Sequence, residues 1–380
     1  NRAARRGDTR FCLQAPNRAG AFEVPVGKGA HIVTIIGLLI LAAGVLLLVL
    51  AGVPVVRARM QEYKYWAFAA VSIGMLSSSL DHGSVNVALP TVAGHFQTDF
   101  TTVQWVTIGY ALTISALLLP MGRLSDLMGR KKVYIGGSLI FVLGALVAGM
   151  SPNLTTLVVA RIIEGSGAAM TQGTGMAIVI AAFPASERGK AIGLIITVIG
   201  TGSIAGPAIG GFLVDALGWR AVLLANVPVV LLGVAASMLI LTDSRDDHTS
   251  QGVHDRKFDW LGAALSTGAL LTLLLALTNG HKSDWTSPII LVAFLSFVGL
   301  LAAFIWWELR TTGPLLDLRL FQRSLFSLGV SAHFLTFLGS SAAIFLTPFY
   351  LQQILGYTPR QAGLILVPNA FCMAILGPIS

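Results

Sequence analysis

Three ionisable residues stand inside apolar stretches. Asp81 lies in "SSSLDHGSVNVALP" (Ser77–Pro90), and Arg161 and Glu164 lie in "RIIEGSGAAMTQGTG" (Arg161–Gly175). On insertion scales such a charge costs roughly 3 kcal/mol at the centre of a bilayer, so it faces a partner or a water-filled cavity. At helical spacing Ser77, Asp81 and Ser84 share one face. The carboxylate then has hydroxyl neighbours, and Asn86 lies off that face, placed to cap or bridge near the helix end. Arg161, Glu164, Ala168, Gln172 and Gly175 fall within one narrow arc. Two readings follow from the residues alone. In one, Asp81 is tied to nearby serines and Arg161 is satisfied by Glu164 three residues on. In the other, these groups line an aqueous cavity where an acid exchanges protons or cations. The second is preferred, because intramembrane acids are functional by default.

The elements that position these groups must be membrane helices. The chain has 380 residues, 55% of them hydrophobic and only 11% charged. A soluble domain carries about 25% charged residues. Runs of about 20 apolar residues, long enough to cross a bilayer, cover 32–54, 66–90, 103–121, 133–150, 155–181, 191–214, 221–242, 260–279, 288–307, 325–350 and 362–380. They are too long for barrel strands. The 41 glycines suit close helix packing. The net charge of +8 reads as membrane topology and not as nucleic-acid binding, because Lys and Arg sit in short loops between apolar runs. One set of alternate loops holds fifteen of them; the opposite set holds three, Arg220, Lys282 and Arg360. The richer side is cytoplasmic, so the 66–90 helix runs outward. Asp81 is nine residues before Pro90, and Glu164 is nine residues beyond Thr155 in a helix entered from outside. Both are then roughly 13 Å deep, so Asp81, Arg161 and Glu164 meet at one level. Residues 1–65 form an atypical extension with one extra helix at 32–54. Spanning there would leave six basic residues outside, against the positive-inside rule. Cys12 and Cys372 have neither ligand nor disulfide spacing. With no metal, phosphate-loop or dinucleotide motif, the sequence points to no cofactor, no metal and no enzyme.

Two further stretches carry ordered glycines and charges. "GRLSDLMGRKK" (Gly122–Lys132) reads as a tight cytoplasmic turn at Gly122 and Gly129, with Asp126 and Arg130 paired four residues apart. "GSIAGPAIGG" (Gly202–Gly211) repeats Gly202, Gly206 and Gly210 every four residues, a smooth face for packing, and Pro207 bends the helix.

Taken together these stretches resemble the major facilitator superfamily. Gly122, Leu124, Asp126, Gly129, Arg130 and Lys131 match its signature between helices 2 and 3, which the resemblance implies is a conformational latch. Arg161, Gly165, Gly167 and Ala168 match its helix 4 pattern, where the arginine is implicated in proton transfer; Glu164 stands where glutamine is usual. Gly202, Gly206, Pro207, Gly210 and Gly211 match its antiporter signature in helix 5. Leu80, Asp81, Val85, Asn86, Ala88, Leu89 and Pro90 match the helix 1 ending of its 14-helix drug:proton antiporter branch, with Gly83 in place of threonine. "GWRAVLLANVP", "FDWLG", "PLLDLRLF" and "YLQQILGYTPRQAGLILVP" are similar to that branch too.

The resemblance implies an all-α major facilitator fold: an N-terminal six-helix bundle at 66–242, a cytoplasmic linker and two extra helices at 243–309, and the start of a C-terminal bundle at 310–380. The chain stops at "GPIS" (Gly377–Ser380), where the resemblance leaves four helices missing. The implied function is proton-coupled efflux of drug-like compounds across the cytoplasmic membrane by alternating access. Asp81, Arg161 and Glu164 would couple protons to substrate, and Ser77, Ser84, Asn86 and Gln172 would line the cavity. The partners expected are a small-molecule substrate, protons and the bilayer. A non-transporting or regulatory remnant and a solute importer of the same fold are the alternatives.

Overall fold

A computed structural model of the chain describes residues 63–242, 258–283, 285–311, 313–350 and 354. The expected helices at 32–54 and 362–380, and nearly all of the 1–65 extension, lie outside these. Nine long helices are described: α1 Tyr63–Phe96, α2 Trp105–Met128, α3 Arg130–Gly149, α4 Leu154–Ala182, α5 Arg188–Leu217, α6 Asn226–Ile240, α7 Trp260–Ser283, α8 Pro288–Glu308 and α9 Ser324–Phe349. Short helical segments at Phe100–Val103 and Trp219–Leu224 lead into α2 and α6. The described residues hold no strand.

The helix ends follow from local chemistry. α1 does not stop at Pro90 but continues to Phe96. It ends where Gln97 adopts φ 50° and the Thr98 amide donates to the Ala93 carbonyl at 3.1 Å. This is the Schellman closure, with glutamine where glycine is usual. Asp99 then accepts from the Thr102 amide at 2.9 Å, and Asn153 caps α4 by accepting from the Thr156 amide at 2.8 Å. The expected turn at Gly122 is absent. α2 runs on to Met128, and the reversal into α3 is the single residue Gly129 at φ 99°. Nothing between Gly122 and Met128 breaks a helix, whereas Gly129 alone tolerates that backbone angle.

The first six helices form one bundle. α3 packs on α4, α1 on α5 and α2 on α4, with α6 against α1 and α3. Exchanging α1–α2–α3 for α4–α5–α6 maps the α2–α4 contact onto α5–α1 and the α3–α4 contact onto α6–α1, the pattern of an internal repeat. Glycines set the closest approaches. A methyl group at Gly210 would sit 2.6 Å from Ser84 Cα, and one at Gly206 would sit 2.7 Å from the Leu80 carbonyl. Gly83 faces Gly206 and Pro207 across the same seam, so the residue that replaces the family's threonine lies where α1 and α5 come closest. α7 and α8 pair with each other, and α7 leans on α2 through a hydrogen bond from Thr267 to the Ala116 carbonyl at 3.2 Å. α9 packs chiefly on the turn Leu318–Gln322.

Six described spans are long and apolar enough to cross a membrane: Phe100–Met128, Arg130–Gly149, Ala185–Leu217, Trp219–Ile240, Trp260–Gly280 and Pro288–Glu308. The most apolar, Pro288–Glu308, is also the least covered by protein, which fits a helix whose main neighbour is lipid. α1 and α4 are not among the six, although both are longer than 20 residues. Their polarity is turned inward: Ser77, Ser78, Asp81, Ser84, Arg161, Glu164, Thr171 and Thr174 are all buried within the bundle.

Candidate functional site: a buried arginine between two carboxylates

α1, α2, α4 and α6 converge on Arg161. Its Nη1 donates to Asp81 Oδ2 and to Glu164 Oε2, each at 2.7 Å, and its Nε donates to the Val106 carbonyl of α2 at 3.3 Å. The guanidinium lies 4.1 Å from the centre of the Tyr110 ring, a cation–π contact. Asn226 of α6 donates to Asp81 Oδ1 at 3.0 Å. Asp81, Arg161 and Glu164 are each 0% exposed. Charge-assisted hydrogen bonds of this length are among the strong ones, but desolvation offsets much of their worth. Two polar atoms of the group are left without a partner, Arg161 Nη2 and Glu164 Oε1.

Beside this ion cluster runs a neutral hydrogen-bond chain. Gln172 Nε2 donates to Ser78 Oγ at 2.9 Å, and Ser78 Oγ meets the Tyr110 hydroxyl at 2.8 Å. The chain connects half-buried Gln172 on α4, through α1, to the ring that flanks Arg161 on α2. His82 is exposed, and its ring lies 6.1 Å from Tyr110 in a stacked orientation.

Arg161 therefore joins Asp81 and Glu164, and Gln172 reaches the Tyr110 ring beside it through Ser78. The carboxylate of Asp81 takes its hydrogen bonds from Arg161 and Asn226 and none from the serines on its own face. Ser77 is buried with its hydroxyl unpartnered. Ser84 donates back to the Leu80 carbonyl at 2.8 Å and packs against Gly210 of α5. Asn86 is exposed and donates to the His82 carbonyl at 3.0 Å on its own helix. Tyr110, Ser78 and Asn226 were missed as site residues. Asn226 and Tyr110 had a signal, each being a hydrogen-bonding side chain within an otherwise apolar run.

The basic end of the bundle holds the other charged cluster. Arg130 Nη2 donates to Asp126 at 3.1 Å across Gly129, and Nη1 reaches the Ala177 carbonyl near the end of α4 at 3.3 Å. Lys131 donates to the Met238 carbonyl in the last turn of α6 at 3.0 Å. Cations there complement helix C-terminal carbonyls. The first turns of α3 thus tie together the ends of α2, α4 and α6, with Gly122 inside α2 and no atom of another element within 4 Å of where its side chain would begin. Lys64 pairs with Glu187 at the foot of α1 and α5.

The sequence was compared with known proteins. Residues 71–280 match the family model of the Major Facilitator Superfamily. The chain is 33% identical over 312 residues to the multidrug resistance protein Stp of Mycobacterium tuberculosis, covering 82% of this chain and 57% of Stp. It is 32% identical over 320 residues to the riboflavin transporter RibZ of Clostridioides difficile, covering 84% of this chain and 68% of RibZ. Among solved structures, the proton:xylose symporter XylE bound to 6-bromo-6-deoxy-D-glucose matches with a TM-score of 0.55 at 13% identity, over 84% of this chain and 68% of that one. That likeness speaks to the fold. The chain spans little more than half the length of Stp. The inward-turned polar helices, the apolar outer helices and these matches agree: the chain is a multi-pass membrane protein of the cell membrane and belongs to the major facilitator superfamily.

Proposed function

We propose that the full-length protein exports small, drug-like compounds across the cytoplasmic membrane in exchange for protons, by alternating access. The observation that carries this reading is the Arg161 centre: one cation shared by two fully buried carboxylates, held by four different helices. Intramembrane acids paired in this way mark ion and proton pathways. Two bundles rocking about a midplane site would alternately open that centre to each side. The Asp126–Arg130–Lys131 junction would act as a latch at the cytoplasmic end, since it fastens three helix ends by contacts that a rocking bundle can break one at a time. Export is favoured over uptake by the similarity to a multidrug resistance protein and by the Gly202–Gly211 run lying along α1.

The test is transport by the full-length protein. A drug-susceptibility panel in a pump-deficient host identifies a substrate. Proteoliposomes with an imposed pH gradient then measure its movement. Asp81→Asn is expected to abolish proton-driven efflux while the protein remains in the membrane, and undiminished efflux in that variant would sink the proposal. A second reading, uptake, draws on the similarity to RibZ. Riboflavin accumulation in the same vesicles, driven by the same gradient, would favour it.

A further inference from the structure

The two carboxylates bound to Arg161 are not equivalent. Asp81 has both oxygens filled, Oδ2 by Arg161 and Oδ1 by Asn226. Glu164 shares the same Arg161 nitrogen through Oε2, but its Oε1 is buried without a partner. An ionised carboxylate only accepts hydrogen bonds, and one with an empty oxygen in a site closed to water is costly. The charges do not balance either. Arg161 carries one positive charge against two carboxylates, and all three side chains are 0% exposed. One proton makes the centre neutral.

We propose that this proton resides on Glu164 Oε1, and that Asp81 is the permanent counter-ion of Arg161. This deepens the proton-coupling reading and rests on it only for its consequence in transport. The groups that face Glu164 are consistent with the assignment. α1 brings Asp81, with His82 the next residue on and exposed. α2 brings Tyr110, and α4 itself brings Arg161. α3 presents Gly144, where a methyl group would lie 2.5 Å from the Glu164 amide nitrogen, so the backbone of Glu164 is held fast on that side. α6 reaches the centre through Asn226, which does not titrate. The second donor that satisfies Asp81 has no counterpart at Glu164.

The orphaned atoms suggest what release of the proton does. When Glu164 gives its proton to a water molecule admitted to the centre, the Oε1–H bond breaks and its electron pair stays on Oε1. That oxygen becomes an acceptor for Arg161 Nη2, the donor now left without a partner. Arg161 then grips Glu164 through both amino groups, the bidentate geometry that guanidinium–carboxylate pairs favour. Nη1 is drawn from Asp81, and the tie between α4 and α1 loosens. Glu164 protonation thus sets whether Arg161 bridges two helices or closes on one.

The experiment is infrared difference spectroscopy of the purified chain in lipid nanodiscs across a pH titration, reading the C=O stretch of protonated carboxyl groups. It needs no transport. The wild type is expected to show a band that is lost on raising the pH. Glu164→Gln is expected to lose that band, and Glu164→Asp to restore it at a shifted frequency. Glu308→Gln controls for the other buried carboxylate with an unpartnered oxygen among the described residues. Asp81→Glu keeps both carboxylates and should leave the band at its wild-type frequency, whereas Asp81→Asn leaves Arg161 a single carboxylate, which balances it without a proton, and should lose the band. A band that survives in Glu164→Gln, with Glu308 accounted for, overturns the assignment, as does a band that shifts in Asp81→Glu and not in Glu164→Asp. The two charge-preserving exchanges, Glu164→Asp and Asp81→Glu, decide which carboxylate holds the proton, because either neutral variant leaves Arg161 balanced. If the band follows Glu164 but the full-length protein moves no substrate, the assignment stands and the export reading falls.

Discussion

Arg161–Asp81 and Arg130–Asp126 are the same pair of residue types, joined in one molecule under opposite conditions. The first is 2.7 Å long with both side chains fully buried; the second is 3.1 Å long with both about two-fifths exposed, at 40%. At the exposed pair water competes for both partners, so its making and breaking are nearly free, worth about 0–1 kcal/mol. At the buried pair no water competes, and the alternatives are Glu164 for Arg161 and Asn226 for Asp81. Removing one leaves an uncompensated charge at a cost of about 3–5 kcal/mol. In the proposed transport cycle the exposed pair would open without a trigger of its own. The buried centre would rearrange when its charge changes, which is why the proposal gives that step to a proton.

That contrast can be broken in several places. The largest effect is expected from Arg161→Ala, which strands two carboxylates and should destabilise the chain by about 3–5 kcal/mol. Thermal unfolding in detergent would report it, and a variant as stable as wild type would mean the centre is hydrated rather than dry. Next is Asn226→Leu, which removes the second donor to Asp81. A hydrogen bond to a charged group is worth about 1.5–3 kcal/mol, and the same assay should register a loss of that order. The glycine positions sharpen the comparison between a packed interior and an open edge. Gly210→Ala places a methyl group within 2.7 Å of Ser84 Cα and Cβ and should cost about 1–3 kcal/mol by overpacking. Gly122→Ala meets no neighbouring atom inside a helix and should gain about 0.5–1 kcal/mol. If both move in the same direction, the α1–α5 seam is looser than described. The smallest effect should come from Asp126→Asn. It is expected to shift stability by no more than about 1 kcal/mol, with the shift shrinking further at high salt. Its consequence would show in transport rate by the full-length protein, not in unfolding.

Much of this was legible before any coordinates. Apolar runs of twenty residues have few options in a bilayer, so most helices among the described residues fell within a few residues of their expected bounds. The exceptions, Pro90 and Gly122, are places where a residue that often ends a helix did not. Asp81, Arg161 and Glu164 were legible for the same reason, because a charge within an apolar run is costly and demands a partner or a cavity. Tyr110, Ser78 and Asn226 were harder, since a tyrosine, serine or asparagine inside a membrane helix is common and says little alone. Ser77 and Ser84 were picked because they share a face with Asp81. That face exists, but the carboxylate takes its donors from two other helices.

The sequence by itself determined that this chain lives in a bilayer and which charged side chains need an explanation. Those follow from the cost of moving polar groups into hydrocarbon, a property of each segment taken alone. Only the tertiary structure decided who answers each charge. It put Asn226, 145 positions away, on Asp81, placed the Tyr110 ring against Arg161, and left one oxygen of Glu164 with no partner. Partnership depends on which helix faces which, and that is settled by packing, largely by glycines that let the helices approach, and not by any single helix.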